Sequence, residues 1–209
     1  MKIHRIRSVE EPAYKQLLHI YRDSQPENEL KGPDQVAGMI ERPEYFFLAA
    51  LRDDAVVGFS ISICFAGSDA ALIEYMAVAR EFRGQGTGQG LFKETVQFGS
   101  IAERTVIIEV DSEKSPSDDH VDRVRRKNFY RRLGCREVEG LSYIMPPVSS
   151  GIPPPMDMLI YAAELPGTLA KSRIRTWLES CYRQVYELSE TDPRIQSMLK
   201  NLPENVRLI

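Results

Sequence analysis

The chain has 209 residues, enough for one domain plus an extension, and its 43% apolar and 27% charged residues are ordinary for a globular protein. A formal net charge of −3 argues against a nucleic-acid partner, which goes with a basic surplus. No apolar run approaches the ~20 residues of a bilayer span, and no apolar signal core follows Met1–Ser8, so the expectation is no membrane partner and a cytoplasmic location by default.

Met1–Ser8 alternates Ile3 and Ile6 with charged residues and reads as a first strand. Tyr14, Leu17, Leu18 and Tyr21 recur with helical spacing, and Pro33–Glu41 reads as a second, short helix. Phe46–Leu51 and Ala55–Phe65 are apolar and β-prone, joined by a hairpin turn at Arg52–Asp54, and Ala71–Val78 is a further strand. A glycine-rich turn then opens a helix expected to run to about Arg104. Val106–Asp111 reads as a strand, and Arg123–Leu133 as a helix stopped by Gly134. Cys135–Met145 and Met156–Glu164 read as the last two strands, separated by the proline-rich loop Pro146–Pro155. The order β, α, α, three strands, α, β, α, β, β implies a mixed α/β fold with a partly antiparallel sheet flanked by helices.

After Leu165-Pro-Gly167 the character changes. Thr168 is placed to cap a helix whose stripe Ile174, Trp177, Leu178, Cys181, Tyr182 and Val185 is apolar. Asp192-Pro193 starts another helix, with aspartate at the cap and proline in the first turn. The expected organisation is a domain at residues 1–164 and a helical extension at 165–209, packed on the core or on a second subunit in a homodimer. Cys64, Cys135 and Cys181 lie far apart and read as buried thiols, and with His4, His19 and His120 scattered, no metal site is expected.

The richest stretch is Val78–Phe92, where Arg83, Gly84, Gln85, Gly86, Thr87, Gly88 and Gln89 lie between a strand and a helix. Glycines permit a tight turn with exposed N–H groups, and a helix start behind them suits a phosphate or pyrophosphate. Two better-known motifs fail. A dinucleotide fingerprint counted from Gly84 or Gly86 meets Gln89 or Leu91 where its last glycine belongs, and no Gly-Lys-Ser/Thr follows for a Walker loop. The pattern Arg-x-x-Gly-x-Gly after a strand-closing valine resembles the acetyl-CoA signature of the GNAT superfamily of N-acetyltransferases, and the element order resembles that fold. The resemblance implies that Met76, Ala77 and Val78, together with Arg83 to Gln89, hold acetyl-CoA.

Acyl transfer to an amine requires a polarised thioester carbonyl, a deprotonated amine and a protonated leaving thiolate. Free backbone N–H groups at Met76–Val78 would serve the first need by stabilising an oxyanion. Glu74 and Glu109 each sit in an otherwise apolar strand, where a carboxylate is costly unless paired or facing a cleft. Burial would raise such a group toward a useful base, and either glutamate fits the base of the resemblance, with Glu109 preferred. Asn128-Phe-Tyr-Arg-Arg-Leu-Gly134 resembles the GNAT segment whose tyrosine protonates the CoA sulfur, which assigns Tyr130 as the acid. Arg123 stands where many relatives carry a CoA-contacting asparagine, and the acidic segment Asp111–His120 is longer than usual. The run Arg123, Arg125, Arg126, Lys127, Arg131 and Arg132 reads as a wet helix face, or as a contact for CoA phosphates. Tyr143 and the proline-rich loop are expected to wall the acceptor pocket. The implied activity is acetyl transfer to a primary amine, on a small molecule. A protein lysine or N-terminal acceptor, and a non-catalytic acyl-CoA sensor, remain as alternatives.

Overall fold

In a computed structural model, residues 1–24, 29–114, 117–148 and 153–209 are described. The expectations for the loops at 111–120 and 146–155 therefore fall partly outside the described residues. The chain divides into two compact units, one built mainly from Met1–Cys64 and Ala71–Arg104, the other mainly from Phe65–Ala70, Thr105–Pro147 and the chain beyond residue 152.

In the first unit, β1 (Lys2–Ile6) pairs with β2 (Tyr45–Arg52), β2 with β3 (Ala55–Cys64), and β3 with β4 (Ala70–Val78), all antiparallel. The β2–β3 hairpin turns through Asp53 and Asp54, both with positive φ, the conformation whose twist matches that of paired strands. Helices α1 (Pro12–Ser24) and α3 (Thr87–Val96) pack on β3, and α2 (Pro33–Ile40) on β2. Leu17, Val36, Leu48, Phe59, Ile61 and Ile63 are fully buried among them. Gly58 sits on β3 tight against β4: a Cβ there would meet the Ala77 carbonyl oxygen at 2.9 Å.

In the second unit, β5 (Thr105–Asp111) and β6 (Arg136–Glu137) both pair antiparallel with β7 (Met156–Tyr161). Helix α4 (His120–Arg132) packs on β5. The C-terminal segment folds onto this unit as β8 (Thr168–Ala170), α5 (Lys171–Gln184), α6 (Pro193–Leu199) and β9 (Asn205–Arg207), with β8 and β9 paired. The whole stripe from Ile174 to Val185 is buried. Trp177 Nε1 donates to Asp69 at 2.8 Å, and Tyr182 Oη donates to the Ile144 carbonyl at 2.5 Å. Asp192 caps α6 as expected, its carboxylate accepting from the Arg194 N–H at 3.0 Å.

The chain thus has a mixed α/β fold, with mostly antiparallel strands and, among the described residues, six α-helices. Four local expectations change. Helix α3 stops at Val96, before Gly99 with φ +50, and a 3₁₀ turn at Gly99–Ile101 covers the remainder. The strand expected at Cys135–Met145 is broken after Glu137, because Gly140 turns at φ +78 and leaves only single bridges at Val138 and Tyr143. Thr168 is a strand residue, and α5 begins after Ala170 with no side-chain cap. Finally, β9 was not anticipated, since three residues are too short to show a period. Among the described residues no helix is long and apolar enough to cross a membrane. The cysteines are free and buried.

Candidate active site

In the first unit, β4 runs into the glycine turn. Met76, Ala77 and Val78 are half-buried and pair with Ser60, Phe59 and Gly58. The turn spends its side chains on itself. Arg83 Nε donates to the Val78 carbonyl at 2.9 Å, Gln85 Nε2 to the Glu81 carbonyl at 2.9 Å, and Gln85 Oε1 accepts from Arg52 at 2.9 Å. Gly84 and Gly86 adopt φ +73 and +80, a region closed to most side chains, and nothing lies within 4 Å of where their Cβ atoms would be. Gly86 is the N-cap of α3, whose first turn, Thr87, Gly88 and Gln89, receives no side-chain cap. Uncapped N–H groups, a positive helix end and open space fit a phosphate or pyrophosphate.

Glu74 lies on the same strand but is committed elsewhere. The β3–β4 register shifts so that Ile61 faces Tyr75 and Ser62 faces Ile73, which leaves Glu74 at a bulge. Its Oε1 accepts from Lys31 Nζ at 2.5 Å and its Oε2 from Tyr45 Oη at 3.0 Å. Both members of the ion pair are nearly inaccessible, at 9% and 6% exposure.

In the second unit, Glu109 stands opposite Met158 on β5, half-buried. Its Oε1 accepts a short hydrogen bond from Tyr143 Oη and a longer one from Cys181 Sγ at 3.4 Å. Its Oε2 accepts from Tyr186 Oη at 2.9 Å. Burial drives the Tyr143 phenol well above its ordinary pKa, and the neighbouring Cys181 and Glu109 add to this, so it stays protonated and donates. Tyr143, anticipated as a pocket wall, is therefore brought directly to Glu109. Cys181 and Tyr186 were not anticipated as site residues: the spacing of Cys181 marks it only as core, and no local pattern ties Tyr186 to a strand 77 residues away.

Tyr130 is buried on α4, its ring edge-on to Phe129 at 5.1 Å. Burial raises its phenol pKa, with Arg126 pulling the other way, so the hydroxyl is protonated at neutral pH. In the basic run around it Arg125, Arg126, Arg131 and Arg132 are exposed, whereas Lys127 is internal. Lys127, 1% exposed, reaches Asp157 at 2.6 Å, Glu113 at 2.7 Å and Glu137 at 2.8 Å. Burial opposes its charge, but the three carboxylates outweigh burial and raise its pKa. Arg126 pairs with Asp111 at 2.7 Å, Arg131 with Glu137 at 3.0 Å and Arg123 with Asp119 at 2.8 Å. Only part of this helix is thus a wet face. Among the described residues no cluster of His, Cys, Asp and Glu is arranged to hold a metal.

Residues 43–137 match the family model described as an acetyltransferase (GNAT) domain. The match contains every predicted site residue from Glu74 to Tyr130 and ends before Tyr143, Cys181 and Tyr186. No curated protein matches the sequence. Among solved structures, a protein from Bacteroides thetaiotaomicron described as a GNAT-family acetyltransferase is similar with a TM-score of 0.74 and 20% identity, over 90% of this chain and 100% of its own. An aminoglycoside 6′-N-acetyltransferase complexed with coenzyme A gives 0.58 and 21%, over 79% and 99%. The ribosomal-protein-S18-alanine N-acetyltransferase of Escherichia coli gives 0.57 and 16%, over 79% and 96%. At such identities these structures share a fold with this chain. Residues 43–137 thus carry a GNAT-type acetyltransferase domain, in a chain whose fold those structures share.

Proposed function

We propose that the protein moves the acetyl group of acetyl-CoA directly to the primary amine of a small molecule. The observation that carries this reading is the glycine turn. Gly84 and Gly86 hold left-handed conformations at the uncapped start of α3, with room in front of them for a pyrophosphate. In this reading Gly84–Gly88 hold the pyrophosphate, and Arg83, Gln85 and Gln89 shape the turn around it. Backbone groups of Met76–Val78 take the amides and the thioester oxygen. Acetyl-CoA supplies an activated acyl carbon and a thiolate leaving group.

Glu109 is the base in this account. Glu109 takes a proton from the arriving ammonium, the freed amine nitrogen bonds to the acyl carbon as the carbon–sulfur bond breaks, the second nitrogen proton leaves to water, and Tyr130 gives its proton to the sulfur. Burial keeps that phenol protonated at neutral pH, so the proton is present to give. Glu74 is assigned a structural role, because the Lys31 ammonium neutralises it at 2.5 Å in a nearly inaccessible ion pair. The preference for a small acceptor is supported by the close company of Glu109: with Tyr143, Cys181 and Tyr186 all on its carboxylate, a slender ammonium is easier to admit than a folded chain.

Thiol release from acetyl-CoA against separate pools of polyamines, amino acids, aminoglycosides and lysine peptides tests the reading. Release with a small-amine pool, lowered about 10²-fold in Tyr130→Phe while acetyl-CoA affinity is unchanged, is the expected result. Release only with lysine peptides would overturn the small-molecule acceptor. Acetyl-CoA binding without release from any pool would favour an acyl-CoA sensor.

A further inference from the structure

The residues that surround Glu109 come largely from beyond the acetyltransferase domain match. Cys181 lies on α5, and Tyr186 follows two residues after its end. Tyr143 Oη and Cys181 Sγ also approach each other at 3.6 Å, so the shell is continuous. Its three donors, Tyr143, Cys181 and Tyr186, are phenols and a thiol, a different company from the ammonium that holds Glu74.

Neighbouring charges are committed to other partners. On α4, Arg126 is paired with Asp111, and Lys127 with Asp157, Glu113 and Glu137. From β7 the opposing residue is the apolar Met158. From the C-terminal segment, Tyr182 donates to the Ile144 carbonyl, and Arg194, bound to Asp192, lies over the Tyr182 ring at 5.4 Å. Tyr143, Cys181 and Tyr186 thus donate directly to the carboxylate. Partial burial favours the neutral acid, and each donated hydrogen bond favours the anion.

We infer that Tyr186, with Tyr143 and Cys181, is a positioning residue of the transfer reaction: the C-terminal segment fixes the Glu109 carboxylate and holds it as the anion that receives the acceptor's proton. This rests on Glu109 being the base. It gives the segment after residue 165 a part in the chemistry besides packing.

The direct test is a pH titration of the Glu109 carboxyl in full-length protein carrying ¹³C-labelled glutamate, its signal identified by its loss in Glu109→Gln. In Tyr186→Phe the midpoint should move up by about one pH unit, since one hydrogen bond to the anion is gone. Cys181→Ala should move it up by less, and Cys181→Ser, which restores a donor, should bring it back. This pair carries the test if Tyr186→Phe does not fold. Tyr182→Phe, which removes a hydrogen bond to backbone, should lower thermal stability and leave the midpoint in place. The acidic limb of thiol release with the pooled amines should shift in parallel with the midpoint. A midpoint unmoved in both Tyr186→Phe and Cys181→Ala overturns the inference alone. Moved midpoints beside full thiol release in Glu109→Gln overturn the base assignment, and the positioning role with it.

Discussion

The two units offer different kinds of chemistry. The first presents backbone: a glycine turn braced by its own side chains, the uncapped start of α3 and the end of β4. The second presents side chains: a carboxylate among phenols and a thiol, and a buried, protonated Tyr130. Glu74 and Glu109 make the contrast sharpest. Each is an acid in a mainly apolar strand, yet one is neutralised by an ammonium at 2.5 Å and the other accepts from phenols and a thiol. A strand carboxylate acquires its role from its partners, and partners are set by tertiary structure.

The comparison can be broken at several points. The largest stability effect is expected at Lys31. Lys31→Met strands a buried carboxylate and should cost about 3–5 kcal/mol in urea unfolding, a loss Glu74→Gln in the same background should partly restore. Next is Gly58→Ala, whose Cβ would press on the Ala77 carbonyl at 2.9 Å. Overpacking there should cost about 1–3 kcal/mol and weaken acetyl-CoA binding by displacing β4, read by melting and calorimetric titration. Gly86→Ala forces a side chain into a left-handed N-cap at about 1–2 kcal/mol, and should reduce acetyl-CoA affinity roughly tenfold with little change in turnover at saturation. Unaltered affinity would remove the glycine turn from the binding account.

The smallest effect concerns acid. The Arg194 guanidinium, then the Arg194 backbone N–H, hold the Asp192 carboxyl down at about 2, against opposing desolvation. A lowered folded pKa stabilises above the unfolded value of about 3.9, and the contribution disappears as pH falls toward 2. Asp192→Asn should therefore be less stable than wild type at pH 6 and converge with it near pH 2. A gap that persists at pH 2 would assign the loss to the cap geometry.

Much of this was legible in the chain. The glycine turn, the flanking strand and helix, the two strand glutamates and Tyr130 are local patterns, and local patterns survive in sequence. Helix α3 was read too long because Gly99 lies inside an otherwise helical run, and β9 was invisible because its pairing with β8 is the only thing that makes it a strand. The partners of the glutamates were hidden for the same reason. Lys31 lies 43 residues from Glu74, and Tyr186 lies 77 from Glu109. The arginine-rich stretch on α4 reads as solvent-facing by composition, yet Lys127 is buried because three acids converge on it from β7, β6 and the loop after β5.

The most direct test of the account is the turnover of Glu109→Gln beside Glu74→Gln, measured below both melting temperatures by thiol release from acetyl-CoA with the pool that supports activity. Glu109→Gln should lose about 10²–10⁴-fold in kcat/KM with its stability intact, and Glu74→Gln should change only a few-fold despite its lower stability. Equal losses in the two variants, or the larger loss at Glu74, would contradict it.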